Sequence, residues 1–262
     1  MSNKGGTVLA YKNKPALKKM FVAEVINHRK QDQLIKGTYG KENGKFKGCA
    51  VGCGVHTLNM KLGKTYSYDD HSAYEKELGI PEWLARLEDT IFEGLPVKES
   101  KLWPEQFAKA IPVGVGFKIV KWQFCAYLMK ENIDRVLKLK ISDELKEQVV
   151  SAIRQILELH EKSIKTGRSA ESAAESAESA AESAESAARS AKSAAGSAAR
   201  SAAWSAAWSA KSAAWSAARS AAGSAAWSAA GSAAWSAAWS AAWSAAYIKH
   251  SKKLLSLIKA AK

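Results

Sequence analysis

From Ser169 to Tyr247 the chain is written almost entirely in alanine, serine and tryptophan with a few charges. Serines stand at 169, 172, 176, 179, 183, 186, 190 and 193, in alternating steps of three and four. From Ser193 to Ser244 the step is four, except between Ser209 and Ser212. Alanine is the best helix former, so the tract is expected to be helical. Its small side chains also allow helix backbones to approach closely. A step of four does not match 3.6 residues per turn, and each one advances the stripe by about 40°. Between Ser212 and Ser244 the stripe would wind through about 320°. One straight helix over 169–247 would run about 120 Å and carry serine on every side. The pattern predicts several close-packed helices instead, with breaks near Gly196, Gly223 or Gly231.

The residue before each serine carries the variation. It is acidic at Glu171, Glu175, Glu178, Glu182 and Glu185, then basic at Arg189, Lys192, Arg200, Lys211 and Arg219. In the late half it is mostly tryptophan: Trp204, Trp208, Trp215, Trp227, Trp235, Trp239 and Trp243. Acid early and base late suits a helix macrodipole. Tryptophan in a register that elsewhere holds charge marks an interaction surface. That surface can cover the N-terminal domain, join copies of the chain into a homo-oligomer, or meet a membrane. Residues 220–248 carry no charge and are long enough to span, but a serine at every fourth position argues against a span.

The first 168 residues have ordinary globular composition and enough length for a core. Residues 248–262 form a third segment, a basic amphipathic helix with Ile248, Leu254, Leu255 and Ile258 on one side. Helical signals dominate the first segment, so the fold class is all-α. Pro15 opens a helix expected to run to Lys36, with Leu17, Met20, Phe21, Val25 and Leu34 on its inner face. Gly37 to Gly48 is expected to be a polar loop, too hydrophilic to pack. Cys49 to Met60 reads as a short apolar helix. Asp70 caps a helix that Gly79 ends. Pro81 opens another, with Trp83, Leu84, Leu87, Ile91 and Phe92 as its buried stripe. Pro104 is expected to open a short helix, and Phe117 to Lys130 to form a central one. Ser142 caps a last helix that Gly167 stops. Val113–Val120 is the one candidate strand.

The net charge of +14 sits at the two ends. Residues 1–64 hold 13 Lys/Arg against 3 Asp/Glu, and the last 15 residues hold five lysines and no acid. Lys12, Lys14, Lys18, Lys19, Lys41, Lys45 and Lys47 make up a basic patch that either aids solubility or attracts nucleic-acid phosphates. Three cysteines and an N-terminus without an apolar leader core argue against a disulfide scaffold and for a soluble protein of the cytoplasm.

The sharpest candidate for chemistry is Gly48-Cys49-Ala50-Val51-Gly52-Cys53-Gly54-Val55-His56. On a helix, Cys49, Cys53 and His56 fall on one face, and His71 follows after a polar loop. Two thiols and two imidazoles match the ligand set of a tetrahedral zinc site, although the spacing is not that of a common zinc finger. The same small residues also suit a close helix crossing, with cysteine as a small hydrophobe. A third reading is a nucleophilic thiol: Cys49 at a helix N-terminus would be acidified, with His56 or His71 as base. Glu75, Glu77, Glu88, Asp89 and Glu93 read as solvated helix faces. The glycines and lysines of Gly40–Gly48 do not form a Walker pattern.

The stretches KGCAVGCGVH, HSAYEKELGIPEWLARLEDTIFEGLP and LWPEQFAKAIPVGV, in that order, resemble an uncharacterised protein family of tailed bacteriophages and prophages that also carries Ala-rich C-terminal tails. The repeat itself resembles Ala/Trp/Arg-rich tracts of bacterial immunity proteins. The phage resemblance spans about residues 15–165 and implies action in the cytosol of a bacterial host. It implies an accessory protein that binds a host protein or small signalling molecule, including in counter-defence, without catalysis and without a cofactor. The alternatives are a metal- or thiol-dependent enzyme centred on Cys49, Cys53, His56 and His71, with zinc as the metal, and a nucleic-acid-binding protein using the basic N-terminal region.

Overall fold

The computed structural model describes residues 9–43, 45–167 and 244–262. The chain is all-α. The tryptophan register, the serine tract and the expected close-packed tail helices lie outside the described residues. The chain divides into two compact units, residues 1–121 with 238–262, and residues 122–237.

In the first unit a turn at Ala10–Asn13 leads into α1 (Pro15–Lys30), whose first turn holds the proline. Proline suits that position because its φ is preset and its missing N–H is not needed there. The helix stops at Lys30 rather than Lys36: Asp32 has a φ of 53°, and Leu34 leaves the helix to bridge Gly48. The stretch expected to be an unpacked loop contains a short antiparallel hairpin, β1 (Lys41–Asn43) and β2 (Lys45–Lys47), in which Glu42 pairs with Phe46. The Phe46 ring is buried, so the segment packs in spite of its lysines.

The remaining elements of this unit are α2 (Ala50–Leu62), a π-helical turn at Tyr74–Leu78, α3 (Glu82–Gly94) and α4 (Val97–Ala110). Helical residues 244–259 form α7. Pro104 lies inside α4 instead of opening it; the helix starts just after Pro96. Val113–Val120 is not a strand: Gly114 turns the chain at a φ of 78°, and Lys118 already begins the next helix. The core is built by α1 to α4. Phe21 and Val25 come from α1, Leu58 from α2, Leu84, Ile91 and Phe92 from α3, and Trp103 and Phe107 from α4, all buried. Each such side chain contributes about 1.5–3 kcal/mol by leaving water. Leu254 and Ile258 of α7 are fully buried, as an amphipathic helix requires.

The second unit is described over residues 122–167. It holds most of α5 (Lys118–Leu137) and all of α6 (Asp143–Thr166). The Ser142 hydroxyl accepts the Leu145 N–H at 3.4 Å, and Gly167 ends α6 at a φ of 63°. Trp122 stacks on His160, and Lys130 pairs with Glu161 at 2.8 Å. Among the described residues, no helix is long and apolar enough to cross a membrane.

Candidate functional site

The polar centre of the first unit lies where α3 faces the N-terminus of α2. On α3, Leu84, Glu88, Ile91 and Phe92 fall on one helical stripe, so Glu88 is carried inward with its apolar neighbours. Glu88 is 2% exposed and Asp89 9% exposed. The expectation that both belong to solvated faces is therefore wrong. The Tyr74 hydroxyl reaches the Glu88 carboxyl, and Glu88 Oε2 has no hydrogen-bond partner among the described residues. Burial and the adjacent Asp89 push the Glu88 carboxyl well above its ordinary range, favouring the neutral form.

Cys49 is the N-cap of α2, and its sulfur accepts the Gly52 N–H at 3.4 Å. A side chain at Gly52 would coincide with the Tyr39 carbonyl oxygen, so glycine there lets the loop before the hairpin lie on the first turn of α2. That loop brings the Tyr39 hydroxyl and the Cys49 thiol up to the Asp89 carboxylate. His71 closes the group from the other side. Its Nε2 is 3.5 Å from Asp89 Oδ2, its Nδ1 is 2.8 Å from the Asp69 carbonyl, and its ring meets that of Tyr39 edge-on. Asp89 Oδ1 is buried without a hydrogen-bond partner among the described residues.

One turn further along α3, both carboxylate oxygens of Glu93 accept the Gly37 N–H at 3.1 Å. Cys49, Asp89 and Glu93 place one donor atom each within 4.8 Å of one another. The Lys36 ammonium caps α3 while its charge still acts on the Glu93 carboxylate. It donates to the Glu93 carbonyl at 2.9 Å and to the Leu95 carbonyl. Asp89, Thr90, Glu93 and Lys36 line an open cleft of about 670 Å³, together with Leu95, Pro96 and Tyr247 of α7. The Tyr247 ring rests on Gly94, where a side chain would collide with it.

The four residues singled out in the sequence are divided. Cys49 and His71 both meet Asp89. Cys53 donates to the Gln33 and Gly48 carbonyls, at 3.8 and 3.6 Å. His56 stacks on Phe46 at 4.1 Å between ring centres, with His28 and Tyr68 beside it. The helix N-terminus does not acidify Cys49. Burial, reinforced by Asp89, pushes its thiol up, and burial raises Cys53 to about 12. A neutral thiol is a poor nucleophile.

The basic residues are also divided. Lys18 donates to the Lys109 and Ile111 carbonyls at 3.0 and 2.6 Å, capping α4, and Lys12 pairs with Glu77 at 3.6 Å. Lys14 and Lys19 are exposed near the start of α1, while Lys41, Lys45 and Lys47 share the hairpin, with Lys41 opposite Lys47.

Sequence reasoning missed Asp89 and Glu93 as site residues. The available signal was helical: position 88 is four after Leu84 and three before Ile91, which places Asp89 beside the inner stripe and Glu93 one turn on. No family model matches this chain, and neither a curated protein nor a solved structure is similar to it.

Proposed function

We propose that this is a phage or prophage accessory protein of the bacterial host cytoplasm. On this reading it acts by binding rather than by turnover, capturing a small host molecule in the cleft beside α3. A signalling molecule of a host defence response fits the role. The observation that carries this reading is Asp89, which lines a cleft of about 670 Å³ and whose buried Oδ1 has no hydrogen-bond partner among the described residues. A buried unpaired acceptor costs about 1–3 kcal/mol, more when charged, and a ligand that satisfies it recovers that cost. Cleft volumes of roughly 300–1,000 Å³ suit small molecules. The acidic end formed by Asp89 and Glu93 calls for positive charge or hydrogen-bond donors, and the Tyr247 ring and Pro96 offer apolar surface beyond it. The neutral Cys49 thiol supports binding over nucleophilic catalysis. The resemblance of its three motif stretches to a tailed-phage family is the ground for the host setting.

Native mass spectrometry of the full chain recovered from a bacterial host tests this. The intact protein should carry a small-molecule adduct that Asp89→Asn loses while keeping its helical circular dichroism. An adduct-free protein, or one whose adduct survives in Asp89→Asn, would overturn the reading.

A further inference from the structure

We propose that Cys49, Asp89 and Glu93 form a binding site for a divalent transition-metal ion of the zinc type, with His71 as the positioning residue that holds Asp89. The proposal rests on the cleft being a binding site and specifies the positive charge that its acidic end receives. Three observations lead to it. A thiol sulfur and two carboxylates, from two different helices, bring donor atoms within 4.8 Å of one another. Asp89, nine-tenths buried, keeps one oxygen unpartnered among the described residues. Lys36, the cation lining the same cleft, donates to backbone carbonyls instead of to these acids. A buried carboxylate with an unpartnered oxygen is costly unless a cation or donor meets it, and the Cys49 sulfur and the exposed Glu93 carboxylate stand beside Asp89 to share such a cation.

The donor set selects the class of ion. Oxygen donors alone would suit magnesium or calcium, whereas a sulfur donor favours softer ions such as zinc or cobalt(II). Binding removes the Cys49 proton to solvent, so the sulfur coordinates as thiolate. His71 contributes from behind: its Nε2 meets Asp89 Oδ2 and its Nδ1 is anchored on the Asp69 carbonyl, the arrangement by which a ring orients a ligating carboxylate. Three protein donors leave a tetrahedral ion one position open, as in zinc sites that accept an exchangeable ligand. That position is available to a molecule in the cleft.

The test is titration of the full chain with cobalt(II) and, separately, with zinc, magnesium and calcium, each ion as its chloride. Cobalt(II) should bind one per chain, with the near-ultraviolet charge-transfer absorption of a thiolate–cobalt bond, and zinc should displace it. Magnesium and calcium should not. Cys49→Ser should abolish the charge-transfer band, and Glu93→Gln, at an exposed position, should weaken binding by roughly tenfold or more. Cys53→Ser and Cys125→Ser should leave band and affinity unchanged. The proposal is overturned if cobalt(II) does not bind, if its band survives in Cys49→Ser, if Cys53→Ser removes it, or if magnesium competes equally. Metal failure with the small-molecule adduct intact removes this inference alone. Metal binding without an adduct removes the ligand reading and leaves the ion site.

Discussion

His71 Nε2 lies 3.5 Å from Asp89 Oδ2, with both residues buried, and so joins the turn before Tyr74 to the middle of α3. The other ring nitrogen is held by the Asp69 carbonyl, so the imidazole is fixed at both ends. Replacing it with leucine removes one partner of the Asp89 carboxylate, leaving Tyr39 and Cys49 beside it. His71→Leu should cost about 1–3 kcal/mol in urea unfolding, and His71→Gln, which keeps a donor, should cost less. Equal and negligible losses would show that the pair does not hold Asp89.

Glu88 is a second buried acid with a different expected response. Burial and Asp89 push its carboxyl well above the ordinary range, which favours the neutral form, so a neutral isostere of the same shape is expected to be tolerated. Glu88→Gln should change unfolding free energy by less than about 1 kcal/mol, whereas Glu88→Ala, which leaves a cavity beside Tyr74, should cost about 2 kcal/mol or more. A large loss in Glu88→Gln would mean that the carboxyl is ionised and paired.

These two acids show where the sequence was legible. Helix starts and stops carried by single residues were readable: Pro15 at the head of α1, Ser142 as a cap, and Gly79 and Gly167 in left-handed stops. So was the place of Cys49 at the start of α2. Glu88 and Asp89 were misread because charge was weighed above position, although Leu84 and Ile91 set a period that carries residue 88 inward. The hairpin was missed for a similar reason. Four lysines from Lys36 to Lys47 hid one buried ring, Phe46, and the turn-forming dipeptide Asn43-Gly44 was the signal that pointed to it. The meeting of Cys49 with Asp89 and Glu93 was not readable at all, since it depends on how α2 packs against α3, and no local pattern encodes that.

The close approach at Gly52 gives a third test. A methyl group there must displace the Tyr39 carbonyl and with it the loop that covers the site. Gly52→Ala should destabilise the protein by about 2 kcal/mol or more through overpacking. Gly63→Ala meets no atom within 4 Å and carries only the strain of a φ of 61°, about 1–2 kcal/mol. Gly52→Ala should also raise exposure of Cys49 to a thiol reagent, which Gly63→Ala should not. Equal thiol reactivity in the two variants would contradict the packing described for Tyr39.

His28 sets a pH dependence. Burial, then His56 beside it, lowers its pKa from 6.5 to about 4, and its Nε2 is 3.0 Å from the Thr57 hydroxyl. The unfolded chain therefore binds a proton in this window that the folded chain refuses. The stability contribution is present above the unfolded value and is lost as pH falls from 6.5 toward 4, at up to about 1.4 kcal/mol per pH unit. His28→Gln should flatten that part of the stability profile relative to the native chain. A profile equally steep in both would place the acid sensitivity elsewhere.

The most direct test of binding in the α3 cleft is residue-resolved NMR of the full chain during titration with the small-molecule fraction of a host lysate. Shifts should concentrate at the Gly37 amide, Thr90, Glu93 and Tyr247, and should vanish in Asp89→Asn. Shifts confined to the hairpin at Lys41, Lys45 and Lys47, or none at all, would contradict the account.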